Sequence, residues 1–221
     1  MPLASHWVDD VPAAPETVEL DLPDDTDLGH FTGVSAALTD EMGAIVSLTG
    51  ATFTLDASDG TVVIGWGLTS RFASRGLYAL QLTLTGPDGI RQRVAPVRFV
   101  VQEVTGWHLL ESAREQWPDA PYNDEQLYEL LELARHEVIA FLPPGPAAAG
   151  FGSGGFGDPV EAIPPDYRKA QLLQARNLWN AAKVDPSNGG LADGAYVISP
   201  KPLDWIVRQI LRPKRGMPVM F

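Results

Sequence analysis

Residues 77–85 read LYALQLTLT, and their alternation decides the first half of the chain. Tyr78, Leu80, Leu82 and Leu84 fall on one face, and Ala79, Gln81, Thr83 and Thr85 on the other. That is the period-two pattern of a half-buried antiparallel strand. Upstream, ATFTLDASDGTVVIGW (residues 51–66) repeats it: Phe53 and Leu55 lead into a turn at Asp59-Gly60, and Val62, Ile64 and Trp66 leave it. Downstream, Asp88-Gly89 separates the central strand from RQRVAPVRFVVQ (residues 91–102), in which Val97, Phe99 and Val101 alternate. Asp-Gly between alternating runs signals a hairpin, because glycine reaches positive φ without steric cost. Pro96 belongs on an edge strand, where a missing N–H does little harm.

Beyond Gly106 the period becomes helical. WHLLESAREQW (residues 107–117) puts Trp107, Leu110, Ala113 and Trp117 on one stripe, stopped by Pro118. Asn123 caps the next helix, with Asp124 and Glu125 at its positive end and Gln126 at the capping-box spacing. Leu127, Leu130, Leu131, Ala134, Val138 and Phe141 share its apolar face. A third helix starts near Pro165 and Asp166, and its wide apolar face (Leu172, Leu173, Ala175, Leu178, Trp179, Ala182) implies two neighbours. A fourth, Pro202 to Leu211, is shorter than the ~12–15 residues that a lone helix needs, so it must dock on something. Residues 143–164, PPGPAAAGFGSGGFGDPVEAIP, read as a mobile loop.

The fold class expected is therefore α+β in two domains: an antiparallel β-sandwich of the immunoglobulin-like kind, then a small four-helix domain. The expected boundaries are an acidic tail at 1–16, the sandwich at 17–105, the helical domain at 106–200 and a docking helix with a basic tail at 201–221.

Charge divides the chain in the same direction. Residues 1–60 hold twelve Asp or Glu and no Lys or Arg, whereas Lys201, Arg208, Arg212, Lys214 and Arg215 face a single acid, Asp204, in residues 201–221. An acidic front argues against a first domain that binds nucleic acid, since phosphate contacts need cations. Without cysteine there is no disulfide, thiolate nucleophile or thiolate-bound zinc. No leader and no run of ~18–20 apolar residues is visible, so a soluble, intracellularly made protein is expected, with no membrane partner.

The search for chemistry yields little. Gly150, Gly152 and Gly155 satisfy G-x-G-x-x-G, but no strand precedes them and no helix follows directly, so a loop reading is preferred. His6, His30, His108 and His136 show no metal-ligand or catalytic spacing. Asp56, Ser58 and Asp59 resemble half a calcium loop without its closing glutamate, and read as a plain turn. Trp66, Trp107, Trp117 and Trp179 fall on core faces. No catalytic residue, metal site or cofactor is expected, nor an enzyme.

YNDEQLYELLELARHEVIAFLP (122–143), IPPDYRKAQLLQARNLWNAAKV (163–184) and YVISPKPLDWIVRQILRPKRG (196–216) resemble the head-to-tail connector, or adaptor, of long-tailed phages of actinobacteria. ATFTLDASDGTV and SRGLYALQLTLTGPDGIRQRV look like the small immunoglobulin-like domains of phage virion proteins, an addition to the usual helical adaptor. The resemblance implies a structural virion protein at the capsid–tail neck, made in the host cytoplasm and assembled as a dodecameric ring of its own copies. Its partners would be the portal protein above and a stopper ring or tail protein below, with genomic DNA passing through without sequence-specific binding. On this reading Trp205, Ile206 and Ile210 supply apolar anchors to the portal or a neighbouring subunit, and Arg208, Arg212, Lys214 and Arg215 supply charge. Gly150, Gly152, Gly154, Gly155 and Gly157 would form a mobile loop lining the pore. Two other readings are a neck or tail accessory protein whose sandwich binds host-surface or virion components, and a nucleic-acid-binding tail.

Overall fold

The period-two stretch becomes the longest strand in a computed structural model that describes residues 5–23, 26–141, 163–183 and 203–212. The chain divides into two units, Met1–Glu103 and Val104–Phe221. The first holds nine strands among its described residues: β1 (His6–Trp7), β2 (Glu16–Glu19), β3 (Gly33–Thr39), β4 (Ile45–Val46), β5 (Thr52–Asp56), β6 (Thr61–Gly65), β7 (Gly76–Thr85), β8 (Arg91–Arg93) and β9 (Val97–Gln102). They form one sheet in the order β1-β9-β7-β3-β4, with β8 also on β7, and a second in the order β2-β6-β5. Every pairing is antiparallel except β1 with β9.

Inward residues of both sheets meet in one core. Tyr78, Leu80, Leu82 and Leu84 from β7 pack with Leu38, Phe99 and Val101, and from the second sheet with Val18, Val62 and Ile64. The arrangement is sandwich-like, with one face of each sheet turned to the core. The Asp59-Gly60 turn forms as read, with Gly60 at φ 66°. Asp56 Oδ1 accepts from the Ser58 hydroxyl and from the Ser58 and Asp59 amides, an Asx turn; these bonds, the hydroxyl's first, hold its carboxyl below the usual range.

Two expectations need correcting. Pro96 lies in a gap between β8 and β9 and not within an edge strand. Thr83 faces Arg93 but Leu80 faces Val97, so the second chain carries one extra residue across the gap, a bulge. Gln81 Nε2 fills it, donating to Val94 O at 2.6 Å and Leu82 O at 3.0 Å. Residues 1–16 are also not simply a tail. His6–Trp7 joins the first sheet and Glu16 opens β2, paired to β6. Glu16 accepts from Trp66 Nε1 at 2.9 Å. Its burial would raise the carboxyl pKa, but the adjacent His6 ring, 3.4 Å away, and the Trp66 hydrogen bond outweigh that and hold it low.

Arg71 is a buried cation bonded to carbonyls. Nε donates to Trp66 O at 2.9 Å, Nη1 to Ser47 O at 2.6 Å and Nη2 to Thr49 O at 2.7 Å, stitching three loop positions together. Removing the donors leaves the Trp66 carbonyl buried without its partner, whereas the Ser47 and Thr49 carbonyls, on exposed residues, can turn to water. Arg71→Met is therefore expected to destabilise the β unit by about 1–3 kcal/mol in urea unfolding, and an effect below ~0.5 kcal/mol would show the stitching to be idle.

The second unit has four helices among its described residues: α1 (Leu110–Gln116), α2 (Asp124–Phe141), α3 (Pro165–Lys183) and α4 (Trp205–Leu211). Asn123 caps α2 as read, its Oδ1 accepting from Gln126 N–H at 3.0 Å. Trp107 and Trp117 flank α1 and are buried with Leu110 and Ala113. Arg114 links α1 to α2, meeting Asp124 Oδ1 at 2.6 Å and Tyr122 O at 2.9 Å. α3 packs on both α2 and α4, as its wide face implied. Trp179 departs from expectation, being half-buried under the Lys183 ammonium at 4.5 Å, and Ala182 is exposed. Residues 143–162 of the expected loop, with its glycines Gly150, Gly152, Gly154, Gly155 and Gly157, lie outside the described residues, whereas Ile163 at its end is buried in the helical unit.

Candidate docking face on the fourth helix

α4 has two faces of different character. Leu203, Val207 and Leu211 are buried with Trp107, Val138, Ile163 and Ala170, and Ile210, Phe141, Tyr167 and Leu173 pack around them. Spacing at four residues keeps 203, 207 and 211 on one stripe. Seven residues cannot hold a helix alone, so this stripe is what forms it. The opposite face carries Trp205 at 60% exposure and Ile206 at 47%, with Arg208 and Gln209 exposed beside them. Arg208 Nε donates to Leu203 O at 2.8 Å, which folds its side chain back over the helix start.

This placement sorts the expected docking residues. Trp205, Ile206 and Arg208 are brought together on the outward face. Ile210 belongs mainly to the internal side. Arg212 is engaged within the unit, its guanidinium 4.5 Å over the Phe141 ring and Nη2 donating to Phe141 O, so it clamps α4 to the end of α2. Lys214 and Arg215 lie outside the described residues. Residues 203–212 are thus part of the helical unit and not a separate appendage.

Between the first three helices runs a polar network that sequence reading missed. Gln171, fully buried, accepts from His108 N–H at 2.9 Å and donates to Leu131 O at 3.0 Å, joining α3 to α2 and to the start of α1. Gln174, 2% exposed, donates to Glu137 at 2.6 Å. Arg135, also buried, reaches Glu132 Oε1 at 3.4 Å and lies 5.6 Å from the Trp107 ring. The available signal was two glutamines spaced i, i+3 beside the alanines of the stripe, Ala170 and Ala175. His108 is buried, its Nδ1 3.2 Å from the Ser112 hydroxyl. Burial first, and the nearby Arg168 charge second, push its pKa down to about 4.

On the sheet side, Ser35, Thr83, Thr85, Arg91 and Arg93 line a shallow depression of about 580 Å³. Cross-strand register sets Ser35, Thr83 and Arg93 in one row and Gly33, Thr85 and Arg91 in the next. Gly33 contributes no side chain, which leaves the hollow. Two guanidiniums on one face can pair with carboxylate or phosphate. Among the described residues no group of three His, Cys, Asp or Glu is placed to hold a metal ion, and no helix is long and apolar enough to cross a membrane.

No protein-family model matches the chain, and no curated protein does. Among solved structures, the crystal structure of CopC from Methylosinus trichosporium OB3b matches over 47% of this chain and 87% of that one, at 12% identity and a TM-score of 0.28. A likeness that low carries no argument about function.

Two outcomes follow from the split faces and the buried histidine. Val207→Asp is expected to cost the helical unit at least ~3 kcal/mol by burying an unpaired charge, whereas Trp205→Ala stays within ~0.5 kcal/mol, both read by chemical unfolding. Equal costs would place Trp205 in the internal core. Because the folded His108 pKa lies below the unfolded value near 6.5, protonation favours unfolding: stability is full above about pH 6.5 and falls as pH drops toward 4, by at most about 3 kcal/mol. His108→Gln should flatten that slope in pH-dependent melts; an unchanged slope would assign it to other groups.

Proposed function

We propose that the chain is a structural connector of the phage neck: a ring-forming head-to-tail adaptor with an added immunoglobulin-like domain. The observation that carries this reading is the two-faced α4. One stripe is spent on the chain's own core, and an exposed tryptophan and isoleucine are left beside an exposed arginine. Tryptophan and arginine dominate binding energetics at protein interfaces, and the charged rim sets orientation. The SPKPLDWIVRQILRPKRG string, residues 199–216, which carries the resemblance to phage adaptors, contains this face.

The immunoglobulin-like assignment draws support from Tyr78. It stands near the start of β7, and its hydroxyl donates to Ser74 O at 2.9 Å, four residues upstream, in the manner of a tyrosine corner. The alternative, a sandwich that reads sugars on the host surface, would use exposed aromatic rings. Here Trp66, Phe72, Tyr78 and Phe99 are spent on the core, and a single tryptophan, Trp7 at 36% exposure, is left outward among the described residues of this unit. A connector built only of positioning surfaces has no need of a catalytic site, and the absence of enzymatic activity belongs to the same proposal.

The test is binding of the purified chain to its portal. Trp205→Ala is expected to weaken that complex about 30-fold, ~2 kcal/mol, at both low and high salt, and Arg208→Glu to weaken it mainly at low salt, where charge pairs are least screened. Portal binding indifferent to both changes, or no binding of the unmodified chain, would count against the connector reading.

A further inference from the structure

Strand β1 is a small element with a large anchor. Only two residues pair with β9, His6 opposite Val101 and Trp7 opposite Gln102. Val8 N–H to Gln102 O and Asp9 N–H to Phe72 O, both 2.9 Å, complete the backbone attachment. The His6 side chain is 3% exposed. Its ring stacks on Phe72 at 4.6 Å and meets Phe99 edge-on at 5.3 Å and Trp66 at 5.8 Å, with Nε2 facing Glu16 Oε2 at 3.4 Å. A sheet edge accepts an added strand in this way, by main-chain pairing along the edge and a pocket for one side chain.

The residues that follow make an uneasy hinge. Asp9 has φ 62°, the one non-glycine residue with positive φ among those described, in a left-handed conformation that aspartate adopts more readily than most L-residues but at more cost than glycine. Asp10 N–H donates to Trp7 O at 3.0 Å and closes the turn that sends the chain toward β2. Pro12 and Pro15 stiffen the rest. A short, strained connection between a docked strand and its own domain invites exchange between copies, because extending the hinge relieves the turn while the neighbour restores every contact of the strand.

We propose that β1 is an exchangeable strand: residues 5–8 of one copy occupy the β9 edge and the His6 slot of another. The occupant is a second copy because the slot is already cut to this chain's own histidine. Residues 9–15 span at most ~25 Å when extended, so exchange joins copies lying side by side. It requires only that copies meet, whatever they assemble into, and so stands or falls apart from the connector reading.

The chain has no cysteine, which makes a crosslink unambiguous. Trp7→Cys and Gln102→Cys chains are unfolded, mixed, refolded together at high concentration and oxidised. Paired positions in neighbouring strands lie ~4.8 Å apart, within disulfide range. Exchange predicts covalent heterodimers well above a control mixture in which exposed Met42→Cys replaces Gln102→Cys. Asp9→Gly, added to the Trp7→Cys chain, should lower the yield about fivefold, the ratio that ~1 kcal/mol of relieved strain gives. In the cysteine-free chain, Asp9→Pro cannot adopt the closed turn and should shift sedimentation from monomer to dimer or larger. Heterodimers no more abundant than in the control, or Asp9→Pro monomers with residues 1–10 released to protease, would overturn the exchange.

Discussion

A seven-residue helix with no intrinsic stability exists here because Val207 and Leu211, with Leu203 ahead of them, drop into the groove lined by Trp107, Val138 and Ile163. That docking fixes everything around it. It makes Arg212 reach Phe141 and lock the end of α2, and it turns Trp205 and Ile206 outward. Trp205 stands about 160° around the helix from Val207, so burying the 203–207–211 stripe turns the tryptophan outward. The groove in turn is held in shape by Gln171, whose two hydrogen bonds join α3 to both earlier helices. A buried glutamine with both ends satisfied favours one register, since any slip leaves its amide unpaired in the core.

The β unit follows a related logic. Its two sheets need little besides alternating side chains, but its periphery depends on a few heavily used groups. Arg71 gathers three carbonyls, Gln81 fills the bulge opposite Pro96, and His6 pins β1. The cations of this unit are correspondingly divided: Arg71 is internal, while Arg91 and Arg93 stand exposed on the sheet. Exposed charge, a bulge and a proline along one edge also discourage indiscriminate strand pairing. The edge that β1 covers is different, being closed by a strand that the chain itself supplies.

What could be read from sequence was what repeats. β7 buries every second side chain as LYALQLTLT indicated, the Asp59-Gly60 hairpin turns where expected, and Asn123 caps α2. β3 was harder, because GVSAALT offers small side chains with weak contrast between faces. β1 was illegible, since two residues have no period and its partner β9 lies more than ninety residues away in sequence. The polar interior was missed for the same reason. Glu16 with Trp66, and Gln171 with His108, are long-range bonds whose carboxylate or amide member looks like surface when read locally. On α4 the composition was legible but the division of faces was not: Ile210 and Arg212 look like partners for another protein until the groove formed by α3 and the end of α2 is in view.

The central claim is that α4 is docked by one face and open by the other, and adjacent positions report on the two faces separately. In the cysteine-free background, Ile206→Cys and Val207→Cys chains would be compared for thiol-labelling rate, alone and mixed with a phage portal, the partner proposed above. The account predicts fast labelling at 206 and slow labelling at 207 in the free chain, with 206 becoming slow on binding. Equal rates at both positions in the free chain would mean that α4 is not docked, and a 206 rate unchanged in the complex would mean that its outward face meets no partner there.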